Sequence, residues 1–506
     1  MKDERGQALP VAIVALAIGA LVVVPFLSHA GSSLIGSKVH GNILAEQSAA
    51  DAGVEHAIWS LTWGNLARQF THAGDQVSYQ LEETINGFNP AITITANVTS
   101  QNGTLGDIAN AVIDTLVFDN STCYLPSMIM VSSNICAVAY RGPSNRGYVK
   151  TVSISANGDI GSSAIDTLTF DGSACYEPKI INVATGIYAI AYRGSSNRGY
   201  LKTVTISASG VIGGSVISTL TFDSSSCYEP AIINVSGTIY AIAYRQSSNL
   251  GYLKTMSIST SGVIGGSVIS TLNFDTSACY TPSIIMVSNN VSSITYRGSS
   301  NKGYLKTVSI SASGVIGSPV INTLIFDASA CYEPDIVNVS GSTFAIAYRQ
   351  SANQGYLKTI SISASGIIGT SAIDTLIFDP SACYEPSIVY VSGNVDAIAY
   401  RGSGNHGYLK TMSIAANGDI GASVIDTLQF DASNGYEPVI VKVTGGIFAI
   451  AYRAASTHGN LITVGISTQT AVPALWQIVS NAGNTTIRAM VNTANTTATI
   501  VSWQIH

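Results

Sequence analysis

Tyr176 to Asp223 reads YEPKIINVATGIYAIAYRGSSNRGYLKTVTISASGVIGGSVISTLTFD, and this stretch decides the fold. It holds four short apolar runs, YEPKIINV, IYAIAYR, GYLKTVTIS and VISTLTFD, separated by Gly, Ser and Asn. None is long enough, or spaced at 3.6 residues, to form a helix, so each reads as a strand bounded by turns. Alternation in the second run puts Ala189 and Ala191 on one face, where small side chains let neighbouring sheets approach closely.

The unit recurs. Tyr124, Tyr176, Tyr228, Tyr280, Tyr332, Tyr384 and Tyr436 share one spacing, and Arg141, Arg193, Arg245, Arg297, Arg349, Arg401 and Arg453 keep it without an insertion. Four strands per repeat of about 50 residues is the pattern of a β-propeller, and seven copies predict seven blades. The first copy is preceded by VIDTLVFD, Val112 to Asp119, which elsewhere ends a blade, while the seventh copy has only its first three strands. The early strand is therefore expected to complete the last blade, which removes exposed sheet edges.

Outside the repeats, Asn89 to Ser100 and the tail Ala474 to His506 alternate as strands do, the tail as three strands with turns at Asn481 to Asn484 and Asn492 to Asn495. Ser33 to Phe70 carries Leu34, Ile35, Val39, Ile43, Leu44, Val54, Ala57, Ile58 and Leu61 at mostly three- and four-residue spacings, the mark of one long helix. Ahead of it, Ala8 to Leu27 is an uncharged run of about 20 residues, the length a helix needs to cross a bilayer. A cleaved secretory signal is the competing reading, but the run is longer than a usual signal core and a periodic helix follows it directly.

RGQALPVAIVALAIGALVVVPFLSHA, followed by AEQSAADAGVEHAIWSL, resembles the N-terminal helix of type IV pilin-like proteins. The resemblance implies a charged leader, MKDERG, cut after Gly6 to leave Gln7 as the first mature residue. Pro25 sits where such helices often bend, since proline removes an internal hydrogen bond. Val11 stands at the fifth mature position, where most pilins carry Glu; some minor, tip-type pseudopilins lack it. It also implies that the flanking strands form a small pilin-like head, interrupted by the propeller, and that other pilin-like subunits are partners through the helix. A plain signal anchor is the alternative.

The expected fold is thus mainly β, a seven-bladed β-propeller inserted in a small pilin-like α+β domain with a long N-terminal transmembrane helix. Its parts are a leader (1–6), a membrane-spanning and extended helix (7–70), the two pieces of the head (71–105 and 469–506) and the propeller (106–468). The expected location is the cell membrane, single-pass, with the propeller outside the cytoplasm.

Only 10% of residues are charged and the net charge is -6, with no Lys/Arg run, which argues against nucleic acid as a partner. Histidines at 29, 40, 56, 72, 406, 458 and 506 form no HExxH and no metal-type spacing with cysteine, so no catalytic, metal or cofactor residue is assigned. Cys123, Cys175, Cys227, Cys279, Cys331 and Cys383 occupy one repeat position, on the order of 10 Å apart in neighbouring blades, beyond the disulfide limit of roughly 7 Å. Free buried thiols are expected, Cys136 among them.

Within the repeat, Glu opens the first strand except at Leu125 and Thr281, Arg ends the second and Asp ends the fourth, all at one end of the blade. The expectation is that Arg bridges these carboxylates. The loop after Arg keeps Asn and Gly in nearly every copy, which suits a left-handed turn, and varies between them: Arg146, Arg198, Leu250, Lys302, Gln354, His406 and His458. Arg146, Arg198, Lys302, His406 and His458 are the candidate ligand-binding residues, forming a rim with cationic character suited to an anionic polysaccharide or cell-surface ligand. Solvated loop tips are the bland reading. A surface-displayed binding protein for adhesion or matrix contact is the leading function; an extracytoplasmic polysaccharide-active hydrolase or lyase, and a structural part of a pilus or secretion assembly, are the alternatives.

Overall fold

The computed structural model describes residues 38–62, 66, 75–81, 83–99, 105–468, 473–494 and 497–506. The leader, Gly6, Gln7 and the apolar run Ala8 to Leu27 lie outside them. Among the described residues no helix is long and apolar enough to cross a membrane. The chain divides into two compact units, Met1–Asn102 with Ala471–His506, and Gly103–Thr470.

The larger unit is a ring of seven four-stranded antiparallel sheets, a β-propeller. The second blade is typical: Tyr176–Ala184, Ile187–Arg193, Gly199–Thr205 and Ser218–Asp223, in that spatial order. First strands neighbour one another round the ring, and Tyr436–Thr444 of the seventh blade meets Tyr124–Ser132 of the first, so the first strands are innermost and the ring is closed. The closing strand is Asp114–Asp119, which pairs with Gly459–Gly465 through Leu116 opposite Leu461. A strand from before the first blade thereby completes the last one.

Cores lie between blades. Ala189, Ala191 and Leu201 of the second blade are fully buried against Tyr240, Ile242, Tyr244 and Met256 of the third, so the alanines do let the sheets approach. The repeated Gly has a different role from the expected turn. The left-handed residues are Asn197 (φ 60°), as the loop pattern suggested, and Ser196 (φ 57°) before it. A Cβ on Gly199 would lie 2.6 Å from the Phe222 ring and 2.9 Å from Cys227 Cβ, so close approach excludes any side chain there. In the seventh repeat Gly435 stands in place of the cysteine and lies against Gly407, where a Cβ would meet Cα at 2.4 Å.

In the smaller unit the helix Lys38–Thr62 packs on a five-stranded antiparallel sheet ordered Gln76–Gln80, Ala91–Thr99, Pro473–Ala482, Thr485–Ala494, Thr497–Ile505. Ala50, Val54, Ala57 and Leu61, spaced three and four apart, bury with Ala49 against Ile92, Ile94, Trp476, Ile478, Ile487 and Val491. Glu46 fastens the helix to the sheet by accepting hydrogen bonds from Asn484 N–H (3.1 Å) and Thr485 Oγ1 (3.2 Å). The described helix runs to Thr62, and most of the remaining expected span to Phe70 lies outside the described residues. Gln76–Gln80, too short and polar to stand out in the sequence, is an additional edge strand.

Candidate functional site

One end of the propeller carries a continuous belt around its axis. Tyr opens each innermost strand and Arg ends the second, directly opposite it in the ladder, as in Tyr176 with Arg193. Each guanidinium lies over its own blade's Tyr ring, at 4.0 Å for Arg297 to 4.4 Å for Arg245. It also faces the next blade's Tyr, at 4.8 Å for Arg401 to 5.2 Å for Arg141. Arg453 closes the circle at 4.9 Å from Tyr124. Cation–π contacts of this kind hold each guanidinium plane in place.

Glutamates lock the edge of that plane in five blades. Arg193 donates from Nε to Glu177 Oε2 (3.1 Å) and from Nη2 to Oε1 (3.0 Å), the forked pairing that suits Arg and a carboxylate. Each Glu Oε2 also accepts the backbone N–H of the equivalent residue in the next blade: Glu229 N–H donates to Glu177 (3.0 Å), Thr281 to Glu229 (2.8 Å), Glu385 to Glu333 (2.9 Å), Glu437 to Glu385 (2.9 Å) and Leu125 to Glu437 (2.7 Å). All these residues have left-handed backbone, from φ 45° at Thr281 to 54° at Glu177. A strained turn is thus tied to the neighbouring blade at each step. The belt has two gaps, at Leu125 and Thr281. Among the described residues Arg141 and Arg297 have no carboxylate partner, and each donates only to its loop Asn, at 3.4 and 3.2 Å.

The Asp that ends the fourth strand does not join Arg, contrary to the sequence expectation. It lies at the outer edge of the blade and meets the next blade's Lys and Tyr: Asp171 Oδ2 accepts from Lys202 Nζ (2.9 Å) and Tyr192 Oη (2.5 Å). The pattern holds from Asp119 with Lys150 to Asp379 with Lys410, and at Asp431 only the Tyr452 bond (2.9 Å) is left, because Ile462 replaces Lys in the seventh blade. Burial opposes ionisation of Asp119, but hydrogen bonds from Ser121, Tyr140 and Lys150 outweigh it and hold the carboxyl down at about 2. The repeated Lys was legible as a constant residue, but its partner sits in another repeat.

The candidate tips follow the belt Arg on the same end of each blade. Arg146 and Arg198 are exposed, while Lys302, His406 and His458 are half-buried. Each closes its own turn with its backbone N–H, and His406 Nδ1 lies 3.2 Å from Gln429 Nε2. Among the described residues no hydrogen bond or ion pair joins one tip to another, so they make a rim and not a pocket. All seven cysteines are free and buried, and burial pushes the Cys136 thiol up to about 12. Thiolate chemistry is therefore disfavoured at these positions.

Sequence reasoning missed a further asymmetric feature on the innermost strands. One repeat position reads Ser127, Lys179, Ala231, Ser283, Asp335, Ser387 and Val439. Asp335 accepts from Ser283 Oγ (3.2 Å) and from Ile388 N–H in the next blade (3.1 Å). Lys179 is solvent-exposed, yet burial by surrounding protein lowers its ammonium pKa, with Asp335 and Glu177 acting the other way. The signal was the variability itself, since this position changes charge while its neighbours do not.

No family model matches the chain, and no relative is found among curated proteins. Solved structures similar to it include the periplasmic gluconolactonase PpgL of Pseudomonas aeruginosa, at 11% identity and TM-score 0.44 over 60% of this chain and 84% of that one. A protein from Lactobacillus plantarum matches at 10% identity and TM-score 0.44, covering 71% and 96%. Sqt1 from Chaetomium thermophilum matches at 9% and 0.43, covering 74% and 97%. Likenesses of this extent say nothing of function.

Proposed function

We propose that this chain is a pilin-like surface protein, anchored through Ala8 to Leu27, whose propeller binds acidic polymers of a matrix or of another cell with its Arg-bearing end. The observation that carries the binding reading is a coincidence of positions. Arg141 and Arg297, the two belt arginines without a carboxylate, stand in the blades whose tips are Arg146 and Lys302. Positive charge therefore accumulates in those two sectors, and Arg198 adds to the first from the adjacent blade, although the whole chain is acidic at -6. Such local fields steer anionic partners even when net charge does not.

The display reading rests on the N-terminal resemblance, and it is supported by a helix packed on a sheet whose strands come from both sides of the propeller. Other pilin-like subunits would be met through the helix. A polysaccharide-active enzyme is the second reading, and Lys179 and Asp335 favour it, since they put opposite charges at one repeat position of the innermost strands. An array of acidic and neutral polymers probed with the purified protein tests the choice. Salt-sensitive retention on acidic polymers alone supports binding; release of shortened products assigns the second reading.

A further inference from the structure

The gap at Thr281 differs from the gap at Leu125. At blade one the belt glutamate is replaced by the larger Leu125, and Arg141 Nε is buried without a hydrogen-bond partner. At blade four the replacement is the smaller Thr281, whose own Oγ1 is buried and unpartnered. The groups that a carboxylate satisfies in the other blades remain around it. Arg297 is held between Tyr280 at 4.0 Å and Tyr332 at 5.0 Å, as its equivalents are held, so its Nε and Nη2 edge is presented in the same manner. The backbone N–H of Glu333 occupies the position that, in blade three, gives Glu229 N–H to Glu177 Oε2. With Thr at 281 there is no carboxylate for either to meet.

From this geometry we infer that blade four is a binding site for a ligand carboxylate, which takes the place of the missing glutamate on Arg297, the Glu333 amide and the Thr281 hydroxyl. The repeat itself provides the template: in blade two the same donors grip Glu177 in a two-point fork at 3.0 and 3.1 Å, with a third bond at 3.0 Å from the next blade's amide. Three converging donors, one of them a charged fork, suit a carboxylate better than a neutral group. Thr281 is therefore a vacancy in an otherwise self-filled belt, and Leu125 is the same vacancy plugged by a hydrocarbon side chain. Thr281 already holds the left-handed backbone of the glutamates, φ 45° against 52° at Glu333, so a ligand needs no backbone change to fit.

This inference stands beside the rim reading and can survive its failure, because the site takes a single carboxylate and needs no polymer. The source is a sugar acid or a simple organic acid, and the probes separate the two. Melting of the full-length protein in detergent is followed with sodium acetate, sodium glucuronate and sodium chloride at matched ionic strength. Both carboxylates should raise the melting temperature saturably above chloride. A larger rise with glucuronate assigns a sugar acid, and equal rises assign the carboxylate alone. T281E, which restores the residue found in five blades, should melt higher than the parent without ligand and lose the carboxylate response. T281L, which copies blade one, should lose the response without gaining the glutamate's hydrogen bonds, and it keeps the test open if T281E misfolds. No carboxylate-specific rise in the parent, or an undiminished rise in T281L, overturns the site; the triple tip change described below leaves this response intact.

Discussion

Asp396 should make the propeller less stable as pH rises through neutrality. It lies in the second strand of blade six, where the other blades carry Cys136, Tyr188, Tyr240, Ser292, Phe344 and Phe448. Its side chain is fully buried and neither carboxylate oxygen has a hydrogen-bond partner. Burial alone pushes its pKa from 3.8 up to about 7. Because the folded-state value is the higher one, the folded protein binds more protons than the unfolded chain between about pH 4 and 7, and stability falls with rising pH across that window. At about 1.4 kcal/mol per tenfold in proton affinity, the full penalty is about 4 kcal/mol above the folded pKa, of which about 2.5 kcal/mol accrues between pH 5 and 8. Asp396→Asn keeps the shape and removes the titration. Calorimetric melting of the two proteins should show the variant's advantage widening by about 3 °C from pH 5 to pH 8, given the unfolding entropy of a domain this large. A gap that is constant, or narrows with pH, would refute the reasoning, because every other titrating group is common to both proteins.

Deleting Val112 to Asp119 should expose the Gly459–Gly465 edge of blade seven, with aggregation or a broadened transition in melting and light-scattering measurements; an unchanged profile would remove the closure argument. In cells that possess a prepilin peptidase, mass spectrometry of the membrane-extracted protein should give Gln7 as the first residue, and an intact Met1 end would leave a plain signal anchor.

The propeller was legible because its evidence is local and repeated: four apolar runs per unit, a constant Tyr and Arg, and a displaced first strand that has no place except in the last blade. The pairing of Arg193 with Glu177 was legible for the same reason, both lying in one repeat. Contacts that cross between blades were not. Lys202 and Asp171 are as constant as Arg and Glu, but their attraction depends on which strand is outermost and which blade comes next, and neither follows from periodicity. The glutamate bond to the next blade's amide was hidden likewise, so Leu125 and Thr281 read as substitutions and not as gaps in a belt. The repeated Gly was visible, but its cause, the Phe222 ring and Cys227 Cβ beside Gly199, is a packing fact. The tips Arg146, Arg198 and Lys302 stood out by sequence variation alone, and the uncompensated Arg141 and Arg297 add an electrostatic difference in two of those sectors.

The most direct test of anionic binding by the Arg-bearing end is retention on an immobilised acidic polysaccharide by the full-length protein and by a variant with Arg146, Arg198 and Lys302 all changed to Ser. Arg146 and Arg198 are exposed and Lys302 is half-buried at a turn, none of them in a core, so stability should change by about 0.5 kcal/mol or less. Retention of the parent should fall as salt rises, and the variant should behave at low salt as the parent does at high salt. Retention that ignores salt and survives the triple change would contradict the account.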